Sequence, residues 1–170
     1  MEKLYKSQTY GLCTFEQVMY NIAKRIEKDP KAGYLLAVGT DSQNHKQFTK
    51  YANVIMLHTL GQGGIFFYSI EKNTRIPVVT HRMLEEAHQS IDIAKDVLNW
   101  FDEAYDSEIF DFTKFNISME IHCDIGPNGA SGEAIKGVLG WIQAEFGDSF
   151  LGVIKPASAA ATHISDLFVR

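Results

Sequence analysis

The sequence predicts an α/β fold built on a five-stranded mixed sheet, with three antiparallel strands followed by two parallel ones and helices on its faces. Two observations support this prediction. A continuous apolar run at residues 35–39, flanked by Gly33 and a polar cluster, is typical of a central strand buried on both faces. In residues 84–101 the apolar side chains instead recur every three or four residues, which indicates an amphipathic helix. At 170 residues and 45% hydrophobic content, the chain is expected to form one domain over residues 1–170.

The first half is predicted to contain one helix and a three-stranded meander. Residues 1–14 are polar and aromatic without a clear period, so we expect an irregular lead-in. Thr14 is a suitable N-cap for a helix that ends at Asp29-Pro30. The buried strand follows, and two more strands are predicted at residues 51–60 and 65–70. Their short polar or glycine-rich connections make these three strands antiparallel neighbours.

The second half is predicted to alternate helices and strands. A helix of about six turns begins near Thr80, crosses the sheet, and leads through an acidic loop at residues 102–111. The next strand stops at Asp124, and a right-handed crossover of this length makes it parallel to the first strand. Ser131 can cap a further helix. The remaining loop, strand and closing helix are predicted at residues 126–132, 150–154 and 157–169.

Composition limits the possible functions. A formal net charge of -5 argues against a broad basic surface for non-specific nucleic-acid binding, but allows a local groove whose acids are neutralised by metal ions. Cys13 and Cys123 lack metal-finger or CxxC spacing, and the amino terminus lacks a signal-peptide core. No apolar stretch approaches membrane length. We therefore expect a soluble, reduced, cytoplasmic protein that does not bind membranes.

Three short motifs give the chain a family resemblance. Val38-Gly-Thr-Asp-Ser-Gln43, the helix start Thr14-Phe-Glu-Gln-Val18 and the Glu85-Glu86 pair resemble the YkuK-like family of predicted ribonuclease H-like proteins. After the leading helix, the predicted element order is that of the ribonuclease H-like fold. The resemblance covers nearly the whole chain from Thr14 onward, and it implies that fold and a candidate nuclease site.

Two aspartates follow the two strands that are predicted to be parallel neighbours. Asp41 ends the apolar strand, and Asp124 ends the later one. Two hard divalent cations about 4 Å apart need shared carboxylates, and neighbouring strands lie about 4.8 Å apart. Taken singly, each aspartate is most simply a turn residue. Their recurrence at two neighbouring strand ends favours a metal site.

The resemblance implies two further acids. Ribonuclease H-like nucleases add a glutamate from the crossover helix, for which this chain offers Glu85 or Glu86, and an acid from the last helix, for which it offers Asp166. On the helix wheel Glu85 points away from the apolar stripe and Glu86 lies toward its flank, so Glu86 is preferred. The predicted catalytic and metal-binding residues, for two Mg²⁺ or Mn²⁺ ions, are therefore Asp41, Glu86, Asp124 and Asp166.

Five polar residues are candidates for substrate contacts. Ser42, Gln43 and Asn128 are close in sequence to the strand-end acids. Lys155 ends the last strand and is expected to contact phosphate, and His163 lies one turn before the last acid on the same helix face. The expected partner is nucleic acid, with RNA, RNA/DNA hybrid and structured DNA left open. A homodimer is possible, because ribonuclease H-like resolvases work as dimers.

Other interpretations stay open. His122 inside a strand is more simply a core or hydrogen-bonded histidine, and Cys123 is more simply a small buried side chain than a nucleophile. The glycine-rich loop at residues 126–132 could bind a phosphate ester or nucleotide, but it lacks a Gly-Lys-Ser/Thr ending. The main alternative to a nuclease is a catalytically inactive module that binds nucleic acid or protein.

Overall fold

A computed structural model describes residues 3–125 and 132–154, with side chains from residue 134 in the second segment. These two segments contain helices α1–α3, strands β1–β7 and one 3-10 turn before β6. In chain order they are β1 (Leu4–Ser7), β2 (Gly11–Thr14), α1 (Phe15–Lys28), β3 (Gly33–Asn44), β4 (Phe48–Thr59), β5 (Gly63–Thr74), α2 (Val79–Asp106), the 3-10 turn (Phe112–Lys114), β6 (Asn116–Cys123), α3 (Gly132–Phe146) and β7 (Leu151–Ile154).

The strands of the described segments form one mixed sheet in the order β2-β1-β5-β4-β3-β6-β7. Strands β3, β4 and β5 form an antiparallel meander, β6 runs parallel to β3, and β7 runs parallel to β6. The predicted α/β class and the sequence of three antiparallel strands followed by two parallel ones are therefore confirmed. The predicted number of five strands is wrong, because β1 and β2 extend the sheet beyond β5.

The amino-terminal residues form a β-hairpin rather than an irregular lead-in. Tyr5 pairs with Cys13 across the hairpin, and the two side chains are only 2% and 4% exposed. Lys6 pairs with Tyr68 of β5, which joins the hairpin to the sheet. Each strand has four residues, too few to show an alternating pattern, and the partner strand is distant in sequence. The local pairing of β1 with β2 is therefore not visible as a sequence pattern, and the attachment to β5 is long-range.

The helices pack against one face of the sheet. Thr14 caps α1 through a complete capping box with Gln17, and the helix ends before Asp29, so this predicted helix is confirmed. Helix α2 runs to Asp106, so part of the predicted acidic loop is helical; buried Ala104 extends its apolar face there. Buried side chains of all three helices join one core with the inward residues of the sheet. Among the described residues, no helix combines the length and apolar character that crossing a bilayer requires.

Strand β3 continues past Asp41, contrary to the expectation that Asp41 stands at its exit. The β3–β4 ladder pairs Asp41 with Ala52 and then proceeds through three more pairs to the turn. Apolar content alone marked the strand end too early, because polar residues at the end of a hairpin still complete the backbone ladder. Asp124 does directly follow the last residue of β6. The predicted glycine-rich loop and the closing helix, at residues 126–131 and 157–169, lie outside the described residues.

Candidate active site

Asp41 and Asp124 occupy adjacent positions on two parallel strands. The ladder between β3 and β6 ends with the pair Thr40 and Cys123, so the next residue on each strand is an aspartate. Neighbouring strands lie about 4.8 Å apart, which brings the two aspartate backbones close together. Asp41 Oδ1 accepts a hydrogen bond from the backbone N–H of Ser42 at 2.8 Å. The predicted adjacency of the two acid-bearing strands is confirmed.

Glu86 approaches β3 from helix α2. It is 7% exposed, and the hydroxyl of Ser42 donates a hydrogen bond to Glu86 Oε1 at 2.5 Å. Arg82, one turn earlier on α2, has its Nε 3.9 Å from the same oxygen. The side chain of Glu85 is 35% exposed and accepts a hydrogen bond from Gln89 instead. Of the two helix glutamates, Glu86 is thus the one directed at the strand that carries Asp41.

Burial dominates the electrostatics of Glu86. Removal from water, opposed by the Ser42 hydroxyl and by Arg82 and aided by the nearby charge of Asp41, raises the pKa of its carboxyl group to about 8. By strand alternation Asp41 and Ser42 point to opposite faces of β3. The carboxyl groups of Asp41 and Glu86 therefore approach the end of the sheet from opposite sides. A cation placed between them would favour ionisation of both.

A second set of polar side chains lies on the helix-facing side of β3, β4 and β5. The hydroxyl of Thr40 donates to Asn53 Oδ1 at 2.7 Å, and Asn53 Nδ2 donates to Glu71 Oε1 at 3.3 Å. Tyr51, fully buried, lies opposite Ser42 in the β3–β4 ladder. Burial and the charges of Glu85 and Glu86 raise the pKa of Tyr51 to about 12.

Sequence reasoning missed these contacts between strands. Thr40, Asn53 and Glu71 come together only through the cross-strand register, which no local pattern reveals. The pair of Arg82 and Glu86 is different, because their spacing of four residues on a helix is visible in the sequence.

His122 and Cys123 form no catalytic pair. His122 is 1% exposed, and its Nε2 lies 2.6 Å from Glu120 Oε2. Burial, aided by the charge of Glu86, raises the pKa of the Cys123 thiol to about 12. A thiol that is neutral at physiological pH is a poor nucleophile. The interpretations of His122 as a buried, hydrogen-bonded histidine and of Cys123 as a small buried side chain agree with their surroundings.

The other candidate residues fall into two groups. Gln43 is exposed, whereas Ser42 is 8% exposed with its hydroxyl bonded to Glu86 rather than presented to solvent. The remaining four lie outside the described residues: Asn128, Lys155, His163 and Asp166.

The donor chemistry of the acids suits hard divalent cations, which prefer carboxylate oxygens. Among the described side chains, however, no three His, Cys, Asp or Glu residues are arranged so that they could hold an ion together. Asp41, Glu86 and Asp124 are thus neighbours around the end of β3 and do not form a closed cage.

Comparison with known proteins agrees with this architecture. The family model described as ribonuclease H-like matches residues 17–170. The chain belongs to the ribonuclease H-like family. It is 27% identical over 183 residues to the uncharacterized protein YkuK of Bacillus subtilis (strain 168), an alignment that covers 98% of this chain and 97% of that protein. No solved structure matches the chain. The resemblance inferred from the motifs is confirmed, and family membership indicates a function connected with nucleic acids.

Proposed function

We propose that this ribonuclease H-like protein is a nuclease that hydrolyses phosphodiester bonds with two Mg²⁺ or Mn²⁺ ions. The observation that supports the proposal is the β3–β6 register, which sets Asp41 and Asp124 side by side, with the carboxyl group of Glu86 close enough to sense Asp41. Three carboxyl groups around one sheet end are a suitable donor set for hard cations.

The four acids would share the binding of the ions. Asp41 and Asp124 would contact both ions, while Glu86 and Asp166 would each complete one site. Bound cations of this kind activate water and stabilise the leaving oxygen. The chain itself orients the donors: the Ser42 hydroxyl fixes one oxygen of Glu86, and the Ser42 backbone N–H fixes one oxygen of Asp41.

Four further residues are proposed to contact the substrate. Gln43 is exposed two positions beyond Asp41, where it could contact a bound strand. The roles proposed for Asn128, Lys155 and His163 come from their positions in the sequence, near Asp124, at the end of the last strand and one turn before Asp166.

A cleavage assay tests the proposal. Purified protein is incubated with Mn²⁺ or Mg²⁺ and labelled RNA, RNA/DNA hybrid, single strands and four-way junctions. Asp41→Asn and Asp124→Asn are expected to lower the cleavage rate by at least about 100-fold, because each removes a shared ligand. Asp92→Asn is the matched control, since Asp92 is an exposed carboxylate of α2 with a side chain 57% exposed, and it should cleave like wild type.

The outcomes distinguish an active nuclease from an inactive binding module. Cleavage that depends on metal and is lost in both aspartate variants, with circular dichroism unchanged, supports the nuclease. Cleavage that persists in Asp124→Asn contradicts the proposed site. A folded protein that cleaves no member of the panel, yet binds nucleic acid without metal, supports the alternative of an inactive binding module.

A further inference from the structure

A local basic surface lies beside the candidate active site of this acidic protein. Residues 42–50 and 72–78 contain four lysine or arginine side chains and no aspartate or glutamate, although the whole chain carries a net charge of -5. The two segments meet in space, because the first is the β3–β4 hairpin and the second contains the end of β5. The four cations are Lys46, Lys50, Lys72 and Arg75.

Two of these lysines form a row with Gln43 across three strands. Gln43 lies opposite Lys50 in the β3–β4 ladder, and Lys50 lies opposite Lys72 in the β4–β5 ladder. Residues directly opposite in an antiparallel ladder point to the same face, so the three side chains project together. We call these three residues the lysine row. With strands about 4.8 Å apart, the row spans roughly 10 Å.

The lysine row is next to Asp41 and on its face of the sheet. Asp41 and Gln43 are two residues apart on β3, so they point to the same face and their Cα atoms are about 7 Å apart. Ser42, which holds Glu86, points to the other face. An anionic chain lying along the row would therefore reach the carboxylate of Asp41 without crossing the sheet.

Aromatic side chains adjoin the row. Lys72 Nζ lies 4.9 Å from the ring centroid of Phe48, and the ring of His45 stacks on Phe48 at 4.7 Å. Ile70, beside Ala52 in the ladder that contains Asp41, is 38% exposed. Cations that track a backbone, together with rings on which bases can stack, are the features that bind single-stranded nucleic acids without sequence preference.

A solvated polar surface would explain lysines on an open sheet, but not their clustering. The clustering lies in the register: Lys50 and Lys72 are directly paired and project to one face, while Glu71, the acid beside Lys72 in sequence, points to the other face of the sheet. We propose that the lysine row binds the phosphate backbone of a single nucleic-acid strand. That this strand is led to Asp41 for cleavage rests on the proposed function; binding itself does not require metal.

Fluorescence anisotropy with a labelled mixed-sequence single strand, in EDTA and over a series of salt concentrations, tests the inference. The double variant Lys50→Gln/Lys72→Gln is expected to bind more weakly. The plot of log K for association against log[salt] has a negative slope. This slope should become shallower by about 1.4 in the double variant, since each phosphate contact to a single strand contributes about 0.7. The matched control is Lys24→Gln/Lys28→Gln, which removes two exposed lysines of α1 on the helix side of the sheet.

Each outcome tests the lysine row independently of the proposed metal-binding acids. A wild type that does not bind the strand, or equal losses in the two double variants, would overturn the inference. A duplex of the same sequence that binds as tightly, with the same dependence on Lys50 and Lys72, would overturn the assignment to single strands. Row-dependent binding combined with no cleavage in Mn²⁺ would support the row and contradict the nuclease, so the two failures are distinguishable.

Discussion

Replacing Glu86 by Gln is expected to stabilise the protein relative to wild type in alkaline, metal-free buffer. The side chain is 7% exposed, and a glutamine amide oxygen can accept the same hydrogen bond from Ser42. Burial raises the pKa of Glu86 from its usual 4.5 to about 8. Between these values the folded protein keeps a proton that the unfolded chain releases.

The sign of the pH dependence follows from this proton. A state that binds more protons is weakened as pH rises, so the contribution of neutral Glu86 is complete below pH 4.5 and is lost as pH passes about 8. Each pKa unit corresponds to about 1.4 kcal/mol, which makes the total loss of the order of 5 kcal/mol. Glu86→Gln cannot ionise, so its stability relative to wild type should increase over this pH range.

Urea denaturation in EDTA from about pH 5 to about pH 9 measures the difference in free energy of unfolding between variant and wild type. Glu85→Gln serves as the control, because that side chain is 35% exposed on the same helix and does not contact β3 through Ser42. Its difference from wild type should change little with pH. If the Glu86→Gln difference is equally flat, the buried carboxyl group is already ionised in the folded protein, and the electrostatic account of the site is wrong.

Four further substitutions test the fold by urea or thermal denaturation. Thr14→Ala removes the capping box of α1 and should lower the free energy of unfolding by about 1 kcal/mol; an unchanged value would mean that the cap contributes nothing. Asn53→Ala leaves buried Thr40 without its acceptor and should cost about 1–3 kcal/mol, whereas wild-type stability would show that water replaces the amide. Gly64→Ala would put a Cβ 2.7 Å from a backbone oxygen and should cost about 1–3 kcal/mol, while Gly137→Ala in α3, with nothing within 4 Å, should be neutral or stabilising.

The parts of the fold with long, regular patterns could be predicted from the sequence. The apolar run of β3 and the three-and-four spacing of α2 each express burial over many residues, so the meander, the crossover and the parallel strand followed from them. The hairpin β1–β2 could not be predicted, because its four-residue strands are too short to show an alternating pattern and its attachment to β5 joins residues distant in sequence. The end of β3 was placed too early because the ladder past Asp41 depends on backbone pairing, not on hydrophobicity.

Some features of the candidate site could likewise be predicted from the sequence, and others could not. Asp41 and Asp124 could be singled out because each follows an apolar run in the sequence, and the helix wheel was enough to prefer Glu86 over Glu85. The bond between Ser42 and Glu86 could not be foreseen, because it joins residues 44 positions apart. The lysine row was equally hidden, because Lys50 and Lys72 become neighbours only through the register of the β4–β5 ladder.

Alternation along β3 separates two sets of interactions within three residues. Ser42 points toward α2 and holds the carboxyl group of Glu86, whereas Asp41 and Gln43 point to the face that carries the lysine row. Asp41 is the residue common to both, since its charge acts on Glu86 from across the strand. The net charge of -5 is compatible with a nucleic-acid partner, because Lys50 and Lys72 project together on the face that they share with Asp41, while the carboxyl group of Glu86 lies on the other face. Substitution of Glu86 should accordingly lower cleavage without weakening metal-free binding, whereas substitution of Lys50 and Lys72 should weaken binding and, through it, cleavage.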